Sequence, residues 1–399
     1  MNTFLKQAHL IRNPFPPAAT GMGGILQSNQ TIFLPEEQTV QINAFYNSAC
    51  SGNGVKIFPV VGAYGSGKTA ILKGYLKNFF EDHDIKVFYF DNPGVEFYCL
   101  AETLMRSLGR YEFSKAIWES CKSYMQQQQQ SLFELTFEEM MHDVFKSKQQ
   151  NETVDELAQI IKNKLAYTDE NEIAYKLATL VVYTHKKKFF ERRDFISTNT
   201  QALVAENQED KFFQAIIRAI IAIYNVRGVA FLIDEFEEVT FSRGMTKVKT
   251  YEYLSTFRRL IDISETEELW IAVAMTPEAM EQTVAANAAL VERFTQIQCK
   301  IELNPFTQAD IHAWLIWWLD RYRPEHSSFT GSIFPFPEEF PQLLAADIKR
   351  CAPRKLVKTC FAILADAIAV NAPVPLSKDF ILEKLAKLFD TENSNVNIE

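Results

Sequence analysis

Eight consecutive residues limit the fold of this chain more than any other feature: Gly62-Ala63-Tyr64-Gly65-Ser66-Gly67-Lys68-Thr69 fits G-x-x-x-x-G-K-[ST] at every fixed position. The apolar, β-rich "VKIFPVV" precedes it, and helix formers from Ala70 to Phe80 follow, so the segment reads as strand, loop and helix. Each residue type has a physical task at a phosphate. Glycines let backbone N–H groups converge on anionic oxygens at a helix N-terminus. The cradle would run through Gly62, Ala63, Tyr64, Gly65, Ser66, Gly67, Lys68, Thr69 and Ala70, with Lys68 reaching the terminal phosphates of a nucleotide and Thr69 holding Mg²⁺.

The neighbouring segments extend this unit into a sheet. "IKVFYFD", Ile85 to Asp91, is a second buried strand, giving a βαβ unit and hence a parallel sheet. Further strands are expected at "GVAFLID", Gly228 to Asp234, and "LWIAVAM", Leu269 to Met275, separated by the helical "YEYLSTFRRLIDI". Pro59 cannot donate a ladder hydrogen bond, so the first strand is expected to carry a local irregularity. Residues 95–223 read as a long helical insert containing a glutamine run at 126–130. Three prolines within "NPFPP" predict an extended N-terminal segment over residues 1–34, and a helix starts near Pro35. The α/β domain then occupies 35–304. Past Pro305 the period is wholly helical, so 305–399 reads as a C-terminal helical lid domain with a polar, frayed end.

A phosphate loop that hydrolyses its nucleotide needs acids, and "VAFLIDEFEEV" supplies them at the end of a buried strand. Asp234 would orient Mg²⁺ or its waters, and Glu235 would polarise the water that attacks the γ-phosphorus. Glu237 and Glu238 read as solvated acids at a helix start. Thr276, directly after its strand, has two open readings: its hydroxyl could bond the attacking water or the phosphate, or it could cap the helix that Pro277 begins. Arg293 in "VERF" and Arg354 in "CAPRKL" carry the right group for developing phosphate charge, with a salt bridge or a surface charge as the plain alternatives. Arg258 and Arg259 are lower-ranked rivals. An arginine supplied by a neighbouring subunit would make activity depend on assembly.

Composition narrows the partners. With 41 basic and 50 acidic residues the net charge is -9, which leaves no general attraction to DNA or anionic lipid. Nucleic acid would need a local patch, and "THKKKFFERRD", Thr184 to Asp194, is the candidate, though a solvated helix face also explains it. Six cysteines form no C-x-x-C pair and read as reduced thiols of a cytoplasmic protein. No apolar run is long enough to span a membrane, and "AIIRAIIAIYNV" is broken by Arg218, so it reads as a buried helix.

In order along the chain, these segments resemble the AAA+ ATPases, and within them the initiator-like clade of Orc1/Cdc6-type proteins, including ATP-binding proteins of BREX-type phage defence. The matching pieces are a Walker A motif at Gly62 to Thr69, a Walker B motif at Ile233 to Glu235, a sensor-like Thr276, Arg293 before "IELNPFTQADI", and a second sensor-like "APRKL" with Arg354. The resemblance implies a P-loop NTPase sheet flanked by helices, ATP and Mg²⁺ as cofactors, a homo-oligomer or partner subunits, and ATP hydrolysis that drives or times assembly of a DNA-linked complex. Two departures stand out. Cys351 occupies a position where the family often has glycine, and the insert over 95–223 is similar instead to KAP and STAND type proteins, which implies an ATP-dependent signalling switch as the alternative. No winged-helix region follows the lid, which counts against autonomous binding to double-stranded DNA.

Overall fold

The computed structural model describes residues 2–17, 33–50, 56–96, 98–125, 136–146, 150–184, 209–242, 244–287, 290, 300–347 and 351–396. Five strands form its sheet: β1 (Ile57–Gly62), β2 (Ile85–Phe90), β3 (Gly228–Ile233), β4 (Leu269–Met275) and β5 (Ile301–Leu303), in the order β2-β3-β4-β1-β5. β2 runs parallel to β3 from Ile85↔Gly228 to Phe90↔Ile233, and β3 runs parallel to β4 from Val229↔Leu269 to Ile233↔Val273. Every residue of β3 and β4 is buried, as expected of a parallel sheet covered on both faces. The expected α/β class holds.

β5 has no counterpart among the strands expected from sequence. Three residues carry too little pattern to register, yet Ile301 and Leu303 are buried with Glu302 exposed between them. Pro59 fits without a bulge on this side, because the ladder to β5 begins one residue later, at Val60↔Ile301, and ends at Gly62↔Leu303.

The chain divides into two compact units, one made of Met1–Phe45, Val60–Tyr75 and Ile301–Glu399, the other of Tyr46–Pro59 and Leu76–Lys300. In the first, the helices Gln308–Asp320, Phe340–Ala345, Pro353–Val370 and Lys378–Val396 share one apolar core. Thr307 and Asp310 form a capping box at the first of these. The N-terminal segment is not extended throughout: Thr3–Gln7 is helical, and Phe4, Leu10 and Phe15 lie inside this core. From Leu10 to Pro17 the chain is irregular, as its prolines require, and Asn13 ties it down through Nδ2 to the Phe361 carbonyl at 3.1 Å.

In the second unit the insert is helical over its described parts, at Tyr98–Leu108, Arg110–Met125, Phe137–Lys146, Gln150–Asn163, Asn171–Val182 and Glu209–Tyr224. Leu104, Ile117, Trp118, Leu157, Ile161 and Leu177 are among its fully buried side chains. The glutamine run, the basic cluster beyond Thr184 and Arg293 lie outside the described residues.

Candidate phosphate loop and acidic strand end

The loop after β1 has the backbone its sequence demands. Gly65 and Gly67 sit at φ +79° and +105°, where a side chain is strained, and the helix that begins at Lys68 has Gly67 as its N-cap. That helix starts in α form, passes through a π-helical turn at Ile71–Leu76 and returns to α form over Lys77–Asp82. Gly62 is needed for space: a Cβ there would lie 2.8 Å from the Leu303 Cβ. Lys68 is buried, and its ammonium group donates to the carbonyls of Gly62 at 2.9 Å and Ala63 at 3.4 Å. The Tyr64 ring, itself exposed, lies 5.3 Å from that nitrogen. Inside the loop the Ser66 hydroxyl is buried with no hydrogen-bond partner. Thr69 is exposed and Ala70 half-buried on the first turn of the helix.

Arg354 meets this loop within the same unit. Its backbone N–H donates to the Gly65 carbonyl at 3.2 Å, and a Cβ on Gly65 would come within 2.9 Å of the Arg354 Cβ. The guanidinium-bearing side chain is exposed, at the start of the helix Pro353–Val370. Of the arginines singled out from sequence, Arg354 is therefore the one in contact with the loop among the described residues.

In the other unit, β3 ends at Ile233, and Asp234 directly after it is buried. Its backbone N–H donates to the Phe90 carbonyl at 2.8 Å. Its carboxylate is held at both oxygens: Oδ2 accepts from the Tyr89 hydroxyl at 2.8 Å, and Oδ1 accepts from the Glu235 backbone N–H at 3.0 Å. Glu235 has φ +49°, a conformation that costs a non-glycine residue about 1–2 kcal/mol. The turn is pinned just beyond it, where Phe236 donates to the Ala274 carbonyl at 3.0 Å and packs its ring against Phe257. Glu237 is buried, not solvated as expected, and only Glu238 belongs to the short helix Glu238–Phe241.

The charged neighbours that act on Glu235 are acids. Partial burial, followed by the neighbouring Asp234, Glu237, Glu238 and Asp91, raises its carboxyl pKa above the ordinary value. Burial also raises the Tyr89 phenol, reinforced by Asp234. Tyr89 escaped the sequence reading. Its only signal was a hydroxyl two residues before Asp91, in a strand that is otherwise apolar except for Lys86.

Thr276 caps the helix that follows it. Its Oγ1 accepts from the Ala279 N–H at 3.2 Å, and Pro277 is the first residue of the helix Pro277–Ala286. That leaves the hydroxyl proton to be placed elsewhere. Arg258 pairs with Asp262 at 4.0 Å, and with Arg259 it lines a cleft of 650 Å³ whose walls include Tyr251, Ser255 and Asn287, not Asp234, Glu235 or Thr276.

The donor sets fit the groups the sequence implies. A buried hydroxyl without a partner, in a loop shaped by glycines at the head of a helix, suits an anionic oxygen. The buried Asp234 carboxylate offers a hard oxygen of the kind Mg²⁺ takes, while among the described residues no group of three or more His, Cys, Asp or Glu side chains is gathered to hold a metal unaided. Both motifs follow the C-terminal ends of parallel strands, where ligands sit in open α/β sheets. The architecture is an α/β sheet with a glycine-rich loop directly after β1.

No known family model and no curated protein matches the chain. Among solved structures it is similar to the Aeropyrum pernix ORC2 protein, solved as ADPNP-ADP complexes, at 12% identity and a TM-score of 0.39, over 90% of this chain and 70% of that one. A likeness that loose leaves function to the site itself.

Proposed function

We propose that this chain is an AAA+ ATPase that binds and hydrolyses Mg-ATP, and that hydrolysis drives or times assembly of a DNA-linked complex in prokaryotic antiviral defence. One observation carries the nucleotide reading: the buried, unpartnered Ser66 hydroxyl inside a loop whose Gly65 and Gly67 hold positive φ. The assembly role rests on the order of the motifs at Gly62 to Thr69, Ile233 to Glu235, Thr276, Arg293 and Arg354. The protein works in the cytoplasm, as a homo-oligomer or with partner subunits. Among its described residues no helix is long and apolar enough to cross a membrane.

In this reading the loop N–H groups and the Ser66 hydroxyl bind phosphate oxygens, and Lys68 exchanges its carbonyl partners for the terminal phosphates. Magnesium, when bound, neutralises charge on the phosphate oxygens. Thr69 and Asp234 would hold it. Glu235, directly after Asp234, would accept the proton of the attacking water. Thr276 orients that water through its hydroxyl proton, and Arg354 and Arg293 meet the developing charge.

The test is nucleotide binding and phosphate release by the purified protein, with and without DNA. Lys68→Ala should abolish ATP binding, whereas Glu235→Gln should keep binding and lose about 10²–10⁴-fold in turnover. Normal hydrolysis by Glu235→Gln would remove the base assignment. Turnover that rises with protein concentration or DNA supports the assembly machine; nucleotide-dependent oligomers indifferent to DNA would point to a signalling switch acting through protein partners.

A further inference from the structure

Tyr89 is opposite Leu232 in the β2–β3 ladder, and side chains two apart along a strand share a face. Asp234, two residues beyond Leu232, is thus within reach of a tyrosine on β2, and the 2.8 Å hydrogen bond from the phenol to Oδ2 spans that diagonal. The other oxygen accepts from the Glu235 N–H at 3.0 Å. A backbone amide on one oxygen and a phenol on the other are two separate donors with one result: the Asp234 carboxylate has a fixed orientation. The Phe90 carbonyl, accepting from the Asp234 N–H, ties its main chain to the strand that carries Tyr89.

We propose that Tyr89 is a positioning residue for the metal site, its hydroxyl fixing the Asp234 carboxylate in the orientation that holds the magnesium of the bound nucleotide. The assignment rests on the Mg-ATP reading above. It predicts a specific failure. Tyr89→Phe keeps the ring that packs in the sheet and removes only the donor, so nucleotide affinity should lose part of its dependence on magnesium.

The experiment is titration of a fluorescent ATP analogue into the full chain, once with EDTA and once with saturating Mg²⁺, taking the ratio of the two affinities as the magnesium gain. Loss of one hydrogen bond to a charged group should shrink that gain by about fivefold or more in Tyr89→Phe. Asp234→Asn should shrink it further, and adding Tyr89→Phe to Asp234→Asn should then change nothing more, because the phenol acts through the carboxylate. A gain equal to wild type in Tyr89→Phe would overturn the assignment, as would equal loss of both affinities, which marks a purely structural role. An equally large extra loss on the Asp234→Asn background would overturn it too. If the wild-type protein itself shows no magnesium gain, the Mg-ATP reading fails first and takes this assignment with it; a normal wild-type gain untouched by Tyr89→Phe removes Tyr89 alone.

Discussion

Arg354 donates its backbone N–H to the carbonyl of Gly65 at 3.2 Å, joining the first turn of the helix Pro353–Val370 to the middle of the phosphate loop. That N–H is one of the four a helix leaves without an internal partner, so the loop satisfies the helix while the helix closes over the loop. The contact has room for no side chain at Gly65. In Gly65→Ala the new Cβ meets the Arg354 Cβ at 2.9 Å and the backbone must keep φ +79°. The expected cost is about 1–2 kcal/mol from the backbone conformation alone, read as a thermal midpoint several degrees lower, together with weakened nucleotide binding. A variant as stable as wild type would show that the contact is looser than described.

Ser66 should behave in the opposite way in the nucleotide-free protein. A buried hydroxyl without a partner is a cost of about 1–3 kcal/mol on burial. Ser66→Ala removes it, so the apo protein should be equally stable or more stable. If the hydroxyl exists to bind a phosphate oxygen, the same substitution should weaken ATP by about three- to tenfold, the worth of one hydrogen bond. Denaturant midpoints without ligand, set beside nucleotide affinities, test both halves. A fall in apo stability would mean that Ser66 has a structural task after all.

The parts legible in the sequence are those where one physical signal acts over several residues. β2, β3 and β4 are apolar runs that end in acids or at a helix cap, and the structure places them where the runs are, with β4 at Leu269–Met275. The glycine-rich loop was legible because backbone geometry leaves no other residue type at Gly65 and Gly67. β5 was not, since three residues cannot display a period. Glu237 was misread because burial of a carboxylate depends on what folds over it, not on its neighbours in sequence. The continuous helical period from Glu338 to Val370 concealed two separate helices, the second begun by Pro353. Tyr89 was invisible for a further reason: its partner lies on another strand, 145 residues away in the chain.

Phe15 tests how the N-terminal segment contributes to its unit. The side chain is buried, with its ring centroid 5.4 Å from that of Trp314 and 5.7 Å from that of Trp318. Its backbone N–H donates to the Asn13 Oδ1 at 3.1 Å, fixing the bend that turns the ring inward. Phe15→Ala should cost about 3–5 kcal/mol, the range for emptying a buried aromatic site. Chemical denaturation measures this directly. A loss under about 1 kcal/mol would mean the segment lies on the core without being part of it.

Thr276 separates a cap from a catalytic group. Thr276→Ala removes the Oγ1 that accepts from the Ala279 N–H, which should cost about 1 kcal/mol in stability. That loss alone leaves turnover intact at temperatures well below unfolding, because the folded fraction is unchanged. If the hydroxyl proton also orients the attacking water, the rate at saturating ATP should fall tenfold or more in Thr276→Ala while nucleotide affinity stays close to wild type, the pattern of an interaction made in the transition state. Thr276→Ser, which keeps both the acceptor and the donor, should recover both stability and rate. A Thr276→Ala protein that is less stable yet turns over normally would reduce Thr276 to a helix cap.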